Sequence, residues 1–271
     1  MSDAQPSGRI NGKTAVILGV AAGNMGHAIA RRLAEEGARV MVAGRRKEAL
    51  EIAAEEIGAE SCLCDITNEA DIADLVTASL ETLGRIDIGI NATGWGLLKP
   101  FALTTREDLE LMAAIQFTGP FQFFQELVKA MTRDNDPQGG SIIQISSVTA
   151  TIMFDNHAAY MGTKAGMDHV IRCIAHEFGG QGIRANSISP GGTADTPMSG
   201  GGLFHKPVAD LYAREIPLGR AGMALDIANA ALWLASEEST FVTGQNLQVS
   251  GGQTLRRNPS LAEVFSAFGG G

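Results

Sequence analysis

The sequence is poor in cysteine: Cys62, Cys64 and Cys173 are the only three in 271 residues. They form no C-x-x-C pair and no zinc-ligand spacing, so neither a disulfide framework nor a metal centre is expected. Reduced thiols fit a cytoplasmic protein. Long apolar runs are also missing. None reaches the roughly 18–20 residues that a membrane-spanning helix needs. The opening stretch MSDAQPSGRINGK lacks the apolar segment of a secretory signal. Basic blocks are absent and the formal net charge is −9, which argues against nucleic acid or an anionic membrane as partner. His169 and His176 lie two helical turns apart, with no carboxylate cluster to complete a site.

What is present suffices for a large core: 45% of residues are hydrophobic and 19% charged. Short runs rich in Val, Ile or Leu alternate with longer amphipathic ones. TAVILG, RVMVAG, ESCLCDI, RIDIGIN, GSIIQIS, IRANSIS and NLQVSGG read as strands. Between them, apolar residues at three- and four-residue steps predict helices over 27–37, 46–58, 69–84, 105–133, 159–180 and 224–237. Strands apolar almost throughout, separated by helices, imply a parallel sheet covered on both faces. The expected fold is α/β, a single Rossmann-type doubly wound domain over residues 13–252. A polar tail, 1–12, precedes it and a C-terminal extension, 253–271, follows.

In such a sheet the first strand ends in a turn whose amides meet a pyrophosphate at a helix N-terminus. The stretch GVAAGNMG occupies that place, with Gly19, Gly23 and Gly26. The end of the second strand gives a further test. A carboxylate there binds the adenosine ribose of NAD, whereas arginine accommodates the 2′-phosphate of NADP. Here Gly44 is followed by Arg45 and Arg46, with no acid, so NADP(H) is expected over NAD(H).

Tyr160 and Lys164 stand four residues apart, on one face of a helix. An ammonium beside a phenol favours the phenolate and lowers its pKa, which would make Tyr160 a proton carrier near neutral pH. Thirteen residues upstream of the tyrosine, IIQISSV ends a strand at Ser146 and Ser147.

These motifs together resemble the short-chain dehydrogenase/reductase family, in particular its 3-oxoacyl-reductase-like members. GGSIIQISSV, AAYMGTKAG, IRANSISPGG and the stretch from IPLGRAG to LQVSGG follow the family's order and spacing over about residues 10–252. CDIT resembles its adenine-side segment, marking Asp65 and Ile66. INATG resembles its turn beside the cofactor, marking Asn91, Ala92 and Gly94. The resemblance implies that Tyr160 is the general acid/base and that Lys164 tunes it and holds the nicotinamide ribose. Ser147 would orient the substrate oxygen, with Ser146 its structural neighbour. Pro190, Gly191 and Thr193 would line the nicotinamide, and Gly19, Asn24, Met25, Gly26, Arg45 and Arg46 the rest of the dinucleotide.

Three departures from the family pattern stand out. Gly19 and Gly26 are one residue further apart than the family's outer glycines, and Asn24 takes the penultimate glycine position, where asparagine tolerates positive φ. Gln116 stands where a catalytic asparagine is usual. In the family that residue's carbonyl holds a proton-relaying water. Pro120 has no N–H to bond the Gln116 carbonyl, so a relay through Gln116 is expected to survive; the plainer reading is a proline-kinked helix. In INATG, Ala92 replaces an asparagine and Thr93 an alanine.

Ligands of this fold sit beyond the C-terminal strand ends. Trp95, Met153, Phe154, His157, Met198 and Phe204 fall in those loops and suit an apolar or ring-containing alcohol or ketone, although several could instead pack on the core or a second subunit. PMSGGGLFHKP reads as a mobile lid or as an ordinary surface loop. The leading reading is an NADP(H)-dependent oxidoreductase interconverting alcohol and ketone. A reductase of activated C=C or C=N bonds, and a non-catalytic NADP(H) sensor or scaffold, are the alternatives. The resemblance also implies a homotetramer or homodimer packed through helices 105–133 and 160–180. The segment LAEVFSAF could join a subunit contact, cover a neighbour's pocket or dock loosely.

Overall fold

The computed structural model describes residues 8–132, 139–196 and 205–269. Its centre is a seven-stranded parallel sheet of order β3-β2-β1-β4-β5-β6-β7. The strands are β1 (Thr14–Leu18), β2 (Arg39–Gly44), β3 (Glu60–Leu63), β4 (Ile88–Asn91), β5 (Gly140–Ile145), β6 (Ile183–Pro190) and β7 (Asn246–Val249). Each expected strand is present. β1 and β4 are buried along their whole length because helices cover both faces.

One face carries α1 (Met25–Glu35), α2 (Lys47–Ile57) and α8 (Ala224–Ala235). Its core joins Ile29 and Leu33 to Ile17, Val42, Ile90 and Leu232. The other face carries α3 (Glu69–Leu83), α4 (Arg106–Ala113), α5 (Gly119–Met131) and α6 (Ala158–Phe178). There Phe123, Phe124 and Leu127 pack with Val16, Leu18, Ile142 and Ile171. Strand order reverses between β1 and β4, so the crevice over their C-terminal ends is where a doubly wound sheet receives its ligand.

The long helix expected over 105–133 is divided. A π-turn, Ala114–Thr118, separates α4 from α5. Pro120 cannot donate to the Gln116 carbonyl, and Gly119 bonds the carbonyl of Ala114, five residues back. Two further helices lie outside the expected set, α7 (Lys206–Glu215) and α9 (Leu261–Gly269). Both are short, 10 and 9 residues, too few for a periodic pattern to stand out in the sequence.

Candidate active site

The chain leaves β1 at Leu18 and turns through Gly19–Asn24 into α1. Gly19 has φ +99°, and a Cβ there would lie 2.6 Å from the backbone of Ala92 and Thr93. The expectation for Asn24 is corrected. Its φ is −94°, and the left-handed position belongs to Gly23 at +76°. Asn24 is the N-cap of α1, a role that needs extended backbone. Its Oδ1 accepts from the His27 amide at 2.8 Å, and its Nδ2 donates to the Gly19 carbonyl at 2.9 Å. The longer loop is therefore braced by its own asparagine.

His27 is a brace that sequence reasoning missed. It is buried, and its Nδ1 accepts from the Gly23 amide at 3.1 Å. Burial lowers its pKa, which keeps the ring neutral and able to accept. The four-residue step from Gly23 was the available signal. Gly19 and Val20 donate to the Ala43 carbonyl, and Ala22 to that of Ala49. The amides of Met25 and Gly26, in the first turn of α1, have no intrahelical acceptor and form the positive end of the helix.

At the end of β2, Arg45 and Arg46 are exposed, and neither guanidinium makes a hydrogen bond or ion pair among the described residues. A Cβ on Gly44 would meet the Val20 carbonyl at 2.3 Å, so a bare backbone keeps this strand end against the turn. Asp65 accepts from the Thr67 amide and hydroxyl at 2.9 and 2.8 Å, which with Arg45 nearby holds its carboxyl below the usual range. Ile66 is buried, its carbonyl against Gly119.

Asn91 is wholly buried and its side chain is committed inside the protein. Nδ2 donates to Gln144 Oε1 at 2.8 Å, and Oδ1 accepts from the amide and hydroxyl of Thr93. The Thr93 hydroxyl thus closes the turn. The Ala92 amide bonds the Leu18 carbonyl, and Gly94 follows, half-buried.

Ser147 follows β5, with its Oγ 2.9 Å from Thr149 Oγ1. The neighbouring Ser146 Oγ donates instead to Asp168 Oδ2, at 2.9 Å. Tyr160, Lys164 and Asp168 lie at four-residue steps along α6 and are all buried. Lys164 Nζ donates to the Ile145 carbonyl at 2.8 Å and lies 5.6 Å from the Tyr160 ring centroid. The expected lowering of the Tyr160 pKa is corrected: burial pushes the phenol up to about 12, against a hydrogen bond with Ser147. Desolvation exceeds what this environment returns to the phenolate.

Burial takes Lys164 from 10.5 down to about 8, and Asp168 pulls the other way. Asp168, which also accepts from Asn246 Nδ2 at 2.6 Å, is itself raised by burial. A base lowered on folding makes stability rise with pH between its folded and unfolded values, because the unfolded chain then holds the extra proton. Between pH 8 and 10.5 the cofactor-free protein should therefore gain up to about 3 kcal/mol relative to Lys164→Met. Urea unfolding of both proteins across that range measures the gain; parallel curves would exclude it.

Gln116 sits in the π-turn and is buried. Its Nε2 is 3.2 Å from Thr163 Oγ1, which donates to the Tyr160 carbonyl at 2.9 Å. It thus touches the backbone bonding of α6, and among the described residues it bonds neither the Tyr160 hydroxyl nor Lys164 Nζ. Its Oε1 is buried without a partner.

Pro190 ends β6. Thr193 Oγ1 donates to the Gly191 carbonyl at 3.0 Å. His157 stacks on Tyr160, ring centroids 4.2 Å apart, while its Nδ1 lies 2.8 Å from the Leu97 carbonyl. Phe154 meets His157 edge-on at 5.8 Å, and Met153 is exposed. Trp95 is partly buried and packs against the core on the face carrying α3, α5 and α6. Met198, Phe204 and the glycine-rich stretch around them lie outside the described residues.

A doubly wound sheet with a glycine turn at its switch point and a buried tyrosine–lysine pair beside it defines a dinucleotide-dependent oxidoreductase. The comparisons agree. A family model described as enoyl-(acyl carrier protein) reductase matches residues 19–254. D-threitol dehydrogenase of Mycolicibacterium smegmatis is 33% identical over 253 residues, 92% of this chain and 95% of that one. 7alpha-hydroxysteroid dehydrogenase of Escherichia coli K12 is 32% identical, over 92% and 97%. A solved short-chain type dehydrogenase/reductase from Mycobacterium ulcerans superposes with a TM-score of 0.89 at 30% identity, covering 95% of each chain. The chain belongs to the short-chain dehydrogenase/reductase family.

The family's cofactor is a nicotinamide dinucleotide. The residues here fit one: the Met25 and Gly26 amides are open, Gly19 and Gly44 leave no side chain in the way, and the Arg45 guanidinium, near Asp65, makes no hydrogen bond or ion pair among the described residues. No helix among the described residues is long and apolar enough to cross a membrane.

Proposed function

We propose that the protein is an NADP(H)-dependent dehydrogenase interconverting a secondary alcohol and a ketone, with Tyr160 as general acid/base. The observation that carries this reading is the group at the C-terminal end of β5 and the start of α6, where the half-buried Ser147 lies by the buried Tyr160 and Lys164. When bound, the nicotinamide supplies or takes the hydride. Ser147 Oγ holds the substrate oxygen by a hydrogen bond. Tyr160 gives that oxygen a proton as the carbonyl is reduced, and takes it back in alcohol oxidation. Lys164, fixed on the Ile145 carbonyl, holds its ammonium by the ring and favours the phenolate while it stays protonated, below about pH 8. Gln116 acts through Thr163 and the α6 backbone, as a support for Tyr160. Pro190, Gly191 and Thr193 line the nicotinamide, and Asp65, Ile66, Asn91, Ala92 and Gly94 the remaining cofactor wall.

Arg45 and Arg46 support NADP(H) over NAD(H). Arg45→Ala should raise the KM for NADP(H) roughly 10–100-fold, the worth of about 1.5–3 kcal/mol for a hydrogen bond to a charged group. The KM for NAD(H) should stay within about twofold. Initial rates with each cofactor measure both; equal loss on the two would remove the 2′-phosphate role.

The Phe154–His157–Tyr160 ring series supports an apolar or ring-containing substrate. Reduction of an activated C=C bond is the second reading, favoured by the description of the matching family model. The three-residue gap between Tyr160 and Lys164 favours carbonyl chemistry. NADPH oxidation followed with apolar ketones and with enones separates the two. We further infer a cytoplasmic protein whose catalytic domain spans 13–252, assembled as a homotetramer or homodimer. Exposed Leu109, Leu111 and Phe121 on α4 and α5 support that assembly. Binding of NADPH without turnover of any substrate would favour a sensor.

A further inference from the structure

The sheet ends at Val249, yet the chain continues across the mouth of the proposed site. Two amide side chains on this continuation are buried: Gln253 completely, and Asn258 with 9% of its surface exposed. Gln253 Oε1 accepts from the Gly192 amide at 2.9 Å, in the loop after β6. The approach is close, since a Cβ on Gly191 would stand 2.7 Å from the same oxygen. Gln253 Nε2 donates to Asn258 Oδ1 at 2.7 Å, and Asn258 Nδ2 donates to the Met153 carbonyl at 3.0 Å. One line of hydrogen bonds thus runs from the nicotinamide-side loop to the loop leading into Tyr160. The Leu261 amide extends it, donating to Asp155 Oδ2 at 3.3 Å.

The same segment holds α7. Arg256 donates to the Arg214 carbonyl at 2.5 Å, and Arg257 pairs with Glu215 at 2.9 Å. At the other end of α7, the His205 ring lies 5.3 Å from Phe268 on α9. Three structures that surround the substrate space are therefore tied by one strand of chain, within one subunit. Buried amides with matched partners fix a single geometry, because any other arrangement leaves polar groups unpaired.

We propose that residues 253–269 form a clasp belonging to the substrate site, with Asn258 the positioning residue that sets the distance between the Met153–Asp155 loop and the nicotinamide side. Asn258 touches no reacting atom. It acts through the Met153 carbonyl, and so on where the Met153–Asp155 loop meets the substrate. The proposal deepens the dehydrogenase reading and rests on it for its kinetic readout.

The test is Asn258→Asp, which keeps Oδ1 for Gln253 and removes the donor to Met153. KM for the alcohol or ketone should rise about 10-fold. kcat and the Kd for NADPH should stay within about twofold, a split that general loosening of the fold would not give. Amide exchange over 151–156 should accelerate, measured without substrate. Arg257→Gln, at a half-exposed side chain, should accelerate exchange in α7 and serves if the first variant fails to fold. An unchanged KM, or unchanged exchange over 151–156 in Asn258→Asp, overturns the clasp; where only Arg257→Gln folds, unchanged exchange in α7 does. If the wild-type protein turns over no alcohol or ketone, the dehydrogenase reading fails, and exchange still decides whether the clasp exists.

Discussion

Tyr160→Phe should lower kcat/KM by on the order of 10³-fold while leaving the Kd for NADPH near the wild-type value, as expected for loss of a general acid/base. The substitution removes one oxygen from a buried ring already fixed on both sides. His157 stacks on it at 4.2 Å, and Lys164 Nζ stays bonded to Ile145. Little else should move, so the loss reads the proton transfer itself. The pH dependence carries the same information. With the phenol pushed up to about 12, Tyr160 is protonated at neutral pH and ready to donate during ketone reduction. Alcohol oxidation needs the phenolate and should rise with pH through the alkaline range, whereas reduction should not. Stopped-flow or steady-state rates in both directions, on both proteins, measure this. Turnover that survives Tyr160→Phe unchanged would exclude the mechanism.

Gly19→Ala should cost about 3 kcal/mol of stability and abolish measurable dinucleotide binding. Two effects add. The φ of +99° lies in the region that favours glycine, worth about 1–3 kcal/mol when a side chain is forced into it. The new methyl would also stand 2.6 Å from the backbone of Ala92 and Thr93, which cannot swing aside as a side-chain tip can. Relief would require β1 and β4 to part at the switch point, where the amides of Met25 and Gly26 are presented. Thermal unfolding should drop by roughly 6–10 °C, and fluorescence titration with NADPH should show no saturation. Gly23→Ala is the control. It is also strained at +76°, but its Cβ meets nothing within 4 Å, so the stability loss should be smaller.

Much of the molecule was legible in its sequence. The five inner strands announce themselves as apolar runs, since strands buried on both faces have no polar side to show, whereas the edge strands β3 and β7 are partly exposed and show in the sequence by their place in the alternation with helices. The tyrosine, lysine and serine are likewise readable, because a four-residue step on one helix brings two side chains together wherever that helix lies. Asn24 shows where such reading stops. Its identity suggested a left-handed residue, but its side chain could serve as a helix cap, and the neighbouring Gly23 could take the positive φ. Sequence does not decide between those two local solutions.

The sheet, the switch-point turn and the spacing of the proposed proton-transfer group follow from the order of residues, because each depends on periodicity or on residues close along the chain. The state of those groups follows from packing. Burial among β5, α6 and their neighbours raises Tyr160 to about 12 and lowers Lys164 to about 8, and desolvation is a property of the whole packed surroundings. Tertiary structure alone also joined Gln253 and Asn258 to Gly192 and Met153, across some 60 and 105 positions of chain. No local pattern records a hydrogen bond between residues that far apart. Folding brings them together, and there the C-terminal segment becomes part of the proposed site.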